Sequence, residues 1–230
     1  VKSGSDILFR PVNLKIKDGK IAVDEIDTLN TTLVNAVWEP KTMSADIDHV
    51  IIDPLGLHGA VSSRPDGEVE ITLSPPTGLV STPNGGKTNF RLEGMESNTP
   101  PDTKQFTKFT HELETTADAL ISIFNRSSKA FSAFSTPRII FEADGEKIVV
   151  KIGNIEEDSV AIEETIPGTL KVINGSPSSK SQFGGDLLKR LVDATSGPLK
   201  IKIGDGFPIG LESTSDRFSI QYFLAPQMDN

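Results

Sequence analysis

Apolar and polar positions alternate along much of this chain, and the alternation is written twice. Residues 9–37 read FRPVNLKIKDGKIAVDEIDTLNTTLVNAV, and residues 134–162 read FSTPRIIFEADGEKIVVKIGNIEEDSVAI. Each stretch holds a proline, an alternating strand, an Asp-Gly pair, a second strand, a polar break and a third strand. A period of two marks a half-buried strand, and Asp-Gly between two such runs marks a hairpin because both residues tolerate positive φ. The pairs Asp18-Gly19 and Asp144-Gly145 are 126 positions apart. The later parts match as well. Residues 53–95 give an apolar-periodic segment from Leu55 to Val61, the strand VEITLS, a strand pair and FRLEGM. Residues 184–228 give GGDLLKRLVDATS, the strand LKIKIG, a strand pair and YFLAPQM. The two matching strands lie at 69 and 199, an offset of 130, so one supersecondary unit of about 125–130 residues occurs twice.

Helical periodicity appears in two further places. From Thr115 to about Lys129, Ala117, Leu120, Ile121 and Phe124 fall on one face, with Asp118, Ser122, Asn125, Arg126 and Lys129 mostly opposite. From about Gly185 to Ala194, Leu187, Leu188, Leu191 and Val192 are apolar while Lys189 and Arg190 point outward. Carried back by 126, the first helix has its counterpart at about residues −11 to 3, so the sequence is expected to lack a leading strand and most of one helix. The stretch from Gly94 to Lys104 is polar and contains Pro100-Pro101, which cannot continue a buried strand. The predicted organisation is a first domain at 1–94, a connecting loop at 95–108 and a second domain at 109–230.

Composition narrows the chemistry. The 230 residues include 19 Gly and 15 Pro but only one Trp and one Tyr, as suits many strands joined by turns. With no Cys, disulfides, thiolate metal sites and cysteine nucleophiles are excluded. No apolar run approaches the roughly 18–20 residues that span a bilayer, so no membrane partner is expected. His49, His58 and His111 lack metal-like spacing, and no metal or cofactor is expected. Glu156-Glu157 and Glu163-Glu164 read as solvated edge charges rather than a catalytic pair. Gly85-Gly86-Lys87-Thr88 ends like a phosphate loop, but Ser81 stands where that motif needs Gly and a strand follows where it needs a helix. It reads as a hairpin turn, and no nucleophile elbow occurs. The chain is therefore not expected to be an enzyme.

The net charge of −9 argues against a protein that grips DNA by neutralising phosphates. The objection lapses for a closed ring, which holds DNA by topology and needs only a local basic lining. Arg126 and Lys129 on one predicted helix, with Lys189 and Arg190 on the other, are the candidates for such a lining. Solvated helix faces account for the same four residues.

The C-terminal fifth carries a family resemblance. Gly197 through Ile203, Phe207-Pro208-Ile209, and Phe218 through Met228 resemble the end of PCNA, the DNA sliding clamp, particularly its archaeal forms. Tyr222-Phe223-Leu224-Ala225-Pro226-Gln227-Met228 is similar to that family's terminal strand and Leu-Ala-Pro tail, Phe183–Ala194 to its last helix, and Arg138–Gly145 to its second-domain hairpin. The resemblance implies an α+β fold of two similar domains, with antiparallel sheets outside and helices lining the inner face. Three subunits would close head to tail into a homotrimeric ring on duplex DNA, contacting phosphates through Arg126, Lys129, Lys189 and Arg190.

The resemblance also implies a partner groove under the connecting loop. Its residues would be Ile26, Thr31, Met95, Pro208, Tyr222, Phe223, Ala225, Pro226, Gln227 and Met228. DNA polymerase, ligase and nuclease partners would insert PIP-type peptides there, a clamp loader would open the ring, and the protein would be intracellular: cytoplasmic and nucleoid-associated, or in the host cell if viral. The sequence departs from the pattern at Thr31, where a larger apolar residue is common, and in a connecting loop poor in apolar residues beyond Met95. The segment Leu55–Ser63 has little positive charge beyond Arg64, so the implied clamp is a divergent one, viral or archaeal in type. The rival reading is a non-enzymatic two-domain β-rich virion or structural protein, which would demand neither Lys189-Arg190 on a helix nor a Leu-Ala-Pro tail.

Overall fold

A computed structural model describes residues 11–27, 29, 31–44, 47–63, 67–93, 106, 108–127, 137–154 and 159–227. The chain divides into two compact units, Val1–Pro101 and Asp102–Asn230.

In the first unit, β1 (Val12–Lys17) and β2 (Lys20–Ile26) pair in register through Lys17 and Lys20. Asp18 at φ 53° and Gly19 at φ 75° fill the two-residue turn between them, the geometry that twisted strands require and that Asp-Gly supplies. Then come β3 (Thr32–Trp38), β4 (His49–Ile52), α1 (Pro54–Ser62), β5 (Glu70–Ser74), β6 (Thr77–Ser81) and β7 (Lys87–Glu93). The strand order is β3-β2-β1-β4-β7-β6-β5, antiparallel throughout. Asp53 caps α1 by accepting from the Leu55 N–H at 3.1 Å, and Pro54 suits the first turn, where its missing donor is not needed. Val12, Ile16, Val50, Ile52, Ala60, Val80, Phe90 and Leu92 form the core. Gly85-Gly86 lies in the β6–β7 turn, where Thr82 N–H donates to Gly86 O at 3.0 Å; it is a hairpin, as its sequence implies.

The second unit runs β8 (His111–Thr116), α2 (Ala117–Arg126), β9 (Pro137–Ala143), β10 (Ile148–Asn154), β11 (Ser159–Thr165) and β12 (Thr169–Val172). It continues with β13 (Ser179–Gly184), α3 (Gly185–Asp193), β14 (Pro198–Ile203), β15 (Ile209–Thr214) and β16 (Phe218–Leu224). One sheet has the order β11-β10-β9-β13, and the other contains the run β12-β8-β14-β15-β16. Strand for strand, β3-β2-β1-β4 repeats β11-β10-β9-β13, α1 repeats α3, and β5-β6-β7 repeats β14-β15-β16. The duplication read in the sequence is thus a duplication of topology. The expected missing leading strand and helix concern positions at or before residues 1–10, outside the described residues.

Three details differ from the expectation. The second hairpin is not a two-residue turn: Ala143 pairs with Ile148, and the four residues between them are tied by Asp144, whose Oδ1 accepts from the N–H of Glu146 at 3.1 Å and of Lys147 at 3.0 Å. An aspartate that binds backbone donors two and three residues on builds a longer loop, so only Gly145 needs positive φ there. The first helix is also shorter, because Thr116 ends β8 and caps α2 by accepting from the Ala119 N–H at 3.2 Å. Its buried stripe is Ala117, Leu120, Ile123 and Phe124, with Ile121 half-buried on the flank. At about 100° per residue the stripe centres on Leu120, and Ile121 falls about 100° away from that centre. On α3, Leu188, Leu191 and Val192 are buried, while Leu187 is half-buried.

Candidate functional site

The polar sides of α2 and α3 hold the candidate DNA contacts. Arg126 ends α2 with its side chain about half exposed, yet it is engaged: Nε donates to Glu164 Oε1 at 3.1 Å, and Nη2 donates to Glu164 Oε2. The Arg126 hydrogen bond holds the Glu164 carboxyl below its usual value and raises the guanidinium in turn. Lys189 on α3 donates to Asp193 Oδ2 at 2.5 Å, one turn along the helix. Arg190 is exposed on the same helix. Lys129 lies outside the described residues. Two of the four expected cations are therefore neutralised by carboxylates on their own unit, one of them from the Glu163-Glu164 pair. Glu163 itself faces Lys151 at 3.8 Å.

The candidate groove residues fall on both units. In the first, Ile26 closes β2 and is half-buried. Thr31 follows in a turn organised by buried Asp27, whose Oδ1 accepts from the Thr31 N–H at 2.6 Å and the Thr32 N–H at 2.9 Å, while Oδ2 accepts from Thr31 Oγ1 at 2.7 Å. The Thr31 hydroxyl is thus committed to the turn.

In the second unit, Pro208 precedes β15, where Ile209 pairs with Leu224, so Pro208 and Ala225 stand at the same end of the β15–β16 hairpin. Ala225 and Pro226 are half-buried. Gln227 is exposed, but its backbone N–H donates to Gln182 O at 2.8 Å and fixes the tail to β13. Met95 and Met228 lie outside the described residues.

Tyr222 and Phe223 do not share a face, as a common groove floor would require. They are consecutive in β16, and successive strand residues point to opposite sides. Tyr222 stands opposite Leu211, which pairs with Ile201, which pairs with Leu113, a row of buried side chains on the core face. Burial pushes the Tyr222 phenol up to about 12. Phe223 projects from the opposite face, the side that carries the Lys200, Lys202, Glu112 and Glu212 charges. There it meets two rings absent from the sequence-based set, and a third, Phe207, packs against both of those. Phe106 stacks on Phe223 at 4.5 Å and 13°, Phe109 lies 6.2 Å away at 21°, and Phe207 packs edge-on against Phe109 at 5.2 Å and 79°. The spacing of Phe106 and Phe109 beside β8, and the Phe-Pro pair at 207–208, were the available signals.

One further surface stands out. β12 has β8 on one side and, among the described residues, no strand on the other. Val172 and Ile173 at its end are 41% and 40% exposed, unusual for β-branched residues. Among the described residues no three His, Asp or Glu side chains are placed to hold a metal ion, and no helix is long and apolar enough to cross a membrane.

No family model matches the chain, and no curated protein does. Solved structures do match. PCNA from Thermococcus kodakaraensis is similar with a TM-score of 0.79 and 18% identity, over 96% of this chain and 92% of that one. PCNA of A. fulgidus with the C-terminal region of FEN-1 bound gives 0.73 and 16%, over 97% and 91%. The PCNA2–PCNA3 complex of Sulfolobus tokodaii gives 0.78 and 11%, over 96% and 91%. The chain has the fold of a DNA clamp subunit, with two similar β-rich units. Its form of that fold is the PCNA type, at an identity that makes it a divergent example.

Proposed function

We propose that this chain is the subunit of a DNA sliding clamp. Copies close into a homotrimeric ring around duplex DNA, and the ring tethers DNA polymerase and other replication and repair proteins through PIP-type peptides without catalysing a step. The observation that carries this reading is the duplicated topology, matched to PCNA along nearly the whole chain. A head-to-tail interface that closes by rotation gives a ring, and two similar units per chain give a three-subunit ring near-sixfold symmetry. The open edge of β12, with Val172 and Ile173, offers one half of such an interface. Support for peptide partners comes from the A. fulgidus PCNA carrying the FEN-1 C-terminal region.

Topological retention also reconciles DNA binding with a net charge of −9, since sequence-independent phosphate contacts need only position a duplex that the ring already encloses. With two of its candidate cations paired to carboxylates, this clamp would hold DNA loosely and slide readily. Opening falls to a separate clamp loader, and the place of action is the cytoplasm beside the nucleoid, or the host cell for a viral clamp.

Solution mass gives the first test, with an expected value three times the 24.8 kDa of one chain. The second is retention on DNA: after loading onto a nicked circle, the protein should stay bound through a salt wash and run off once the circle is cut. A monomer at micromolar concentration, or equal loss from circular and linear DNA, would overturn the reading.

A further inference from the structure

The duplication matches α1 to α3 residue for residue. Both helices have nine residues, and Pro54–Ser62 precedes Gly185–Asp193 by an offset of 131. At that offset Leu57, Ala60 and Val61, which pack into the first unit's core, correspond to Leu188, Leu191 and Val192. The helix ends correspond too: the Ser63 N–H donates to Gly59 O at 3.1 Å, and the Ala194 N–H donates to Arg190 O at 3.1 Å. In this register His58 stands where α3 has Lys189, and Ser62 stands where it has Asp193. Their contact recurs as well. Ser62 Oγ lies 3.3 Å from His58 Nε2, as Lys189 Nζ lies 2.5 Å from Asp193 Oδ2.

The exchange changes the electrostatics. A carboxylate one turn on cancels the Lys189 ammonium, whereas the partner of His58 is a hydroxyl. The helix PLGLHGAVS has no Asp, Glu, Lys or Arg, and Asp53 before it is engaged as the cap of Leu55 N–H. On the strands that share a core with α1, the charged or titratable side chains are Lys15 and Lys17 of β1, His49 of β4, and Lys87 and Arg91 of β7. Each alternates with core residues, so each points to the strand face away from the helix. His58 is exposed, and among the described residues Ser62 is its only hydrogen-bond partner. A proton on its ring would therefore put an uncancelled charge on an otherwise uncharged helix.

We infer that His58 is the first unit's contact for a DNA phosphate, holding in α1 the place that Lys189 holds in α3, and that this contact switches with pH. Imidazole is the side chain that ordinarily changes charge between about pH 5 and 8, where lysine keeps its own. Neutral, the ring leaves a helix face over which a duplex passes without an ionic hold. Protonated, it supplies an ion pair for which Ser62, unlike Asp193, does not compete. A mildly acid setting thus tightens the grip of the clamp, and a neutral one frees it to slide. Duplex DNA as the ligand rests on the clamp reading.

The test is the salt dependence of affinity for a short duplex, measured at about pH 6 and about pH 8. For the unaltered protein, the slope of log affinity against log salt should be steeper at the lower pH by about 0.9 for each phosphate engaged. His58→Gln should show the shallow slope at both pH values, and His58→Lys the steep slope at both. A pH difference that persists in His58→Gln, or a His58→Lys slope at the higher pH no steeper than that of the unaltered protein, would overturn the inference. The side chain is exposed, and circular dichroism of each variant checks the fold. Retention on a nicked circle, read in parallel, belongs to the ring and should survive in His58→Gln. The expected slopes with equal loss from circular and linear DNA would uphold His58 and count against the clamp. Full retention with slopes indifferent to residue 58 would uphold the clamp and sink the inference.

Discussion

Arg126 at the end of α2 grips Glu164 of β11 through two of its guanidinium nitrogens, so one of the candidate phosphate contacts is already paired. Glu164→Gln should release it. If this helix face meets DNA, the variant's affinity for a short duplex should rise at low salt, and its salt dependence should steepen by about one released counterion. Arg126→Ala should do the reverse, leaving Glu164 as an unpaired negative charge that lowers affinity, and only the double variant should leave both nearly unchanged. An unaltered slope in Glu164→Gln would mean that Arg126 faces solvent and nothing else.

Gly78 of β6 lies directly opposite Phe90 of β7, and the phenyl ring covers it: a Cβ at Gly78 would stand 2.1 Å from Phe90 Cζ. Phe90 is part of the first unit's core, so the ring has little space to retreat. Gly78→Ala should therefore destabilise the protein by about 1–3 kcal/mol, the usual cost of overpacking. Phe90→Leu should cost some stability alone but cost less in the Gly78→Ala background. Chemical denaturation of the single and double variants checks this, and strictly additive losses would show that the ring moves aside freely.

The first-unit hairpin, both second-unit regions of helix and the doubling of the unit were legible because each rests on local pattern: Asp18-Gly19 for the turn, apolar spacing for the helices, recurrence for the duplication. What was not legible depends on partners far along the chain. Glu164 is 38 residues from Arg126, and no helical-face argument reveals that a strand carboxylate will quench the helix cation. Family likeness placed Tyr222 and Phe223 in one groove, whereas the period of two in β16 separates them, a rule already available from the sequence once the strand was assigned. Phe106 went unnoticed because it sits outside any periodic element. Its contacts appear only when β15 and β16 bring Phe207 and Phe223 beside it.

His111 gives the second unit a sensitivity to acid. Its ring is fully buried at the start of β8, with Nδ1 2.9 Å from Thr110 Oγ1 and 3.0 Å from Ser179 Oγ, and with no partner for Nε2 among the described residues. Burial pushes its pKa down, against a smaller upward pull from the Asp144 carboxylate. The folded protein thus keeps His111 neutral at a pH where the unfolded chain, titrating near the ordinary value of about 6.5, takes up a proton. Stability from this group is complete above about pH 6.5 and falls as pH drops from there towards the lowered folded value. Urea midpoints should decline as pH falls below about 6.5, and His111→Gln should flatten that decline. Glu142 and Asp144 have lowered values and lose their contribution only at more acid pH. A His111→Gln variant with the same slope as the unaltered protein would place the titrating group elsewhere.

The edge of β12 is where the ring proposal is most exposed to disproof. An open strand edge carrying Val172 and Ile173 invites pairing with any available strand, and proteins normally blunt such edges with charge, proline or a bulge. The only charge in this strand is Lys171, whose register partner Glu112 is on β8, so it does little to guard the far side. A functional interface explains the exposure, because pairing there would cover both β-branched side chains at about 1 kcal/mol or more each, once per subunit boundary. Val172→Lys with Ile173→Lys should then convert the trimer to a monomer while leaving the second unit folded, since neither side chain contributes to its buried core. Light scattering reads the mass and circular dichroism the fold. A folded variant that stays trimeric would remove β12 from the interface, and an unaltered protein that is monomeric with this edge bare would remove the ring.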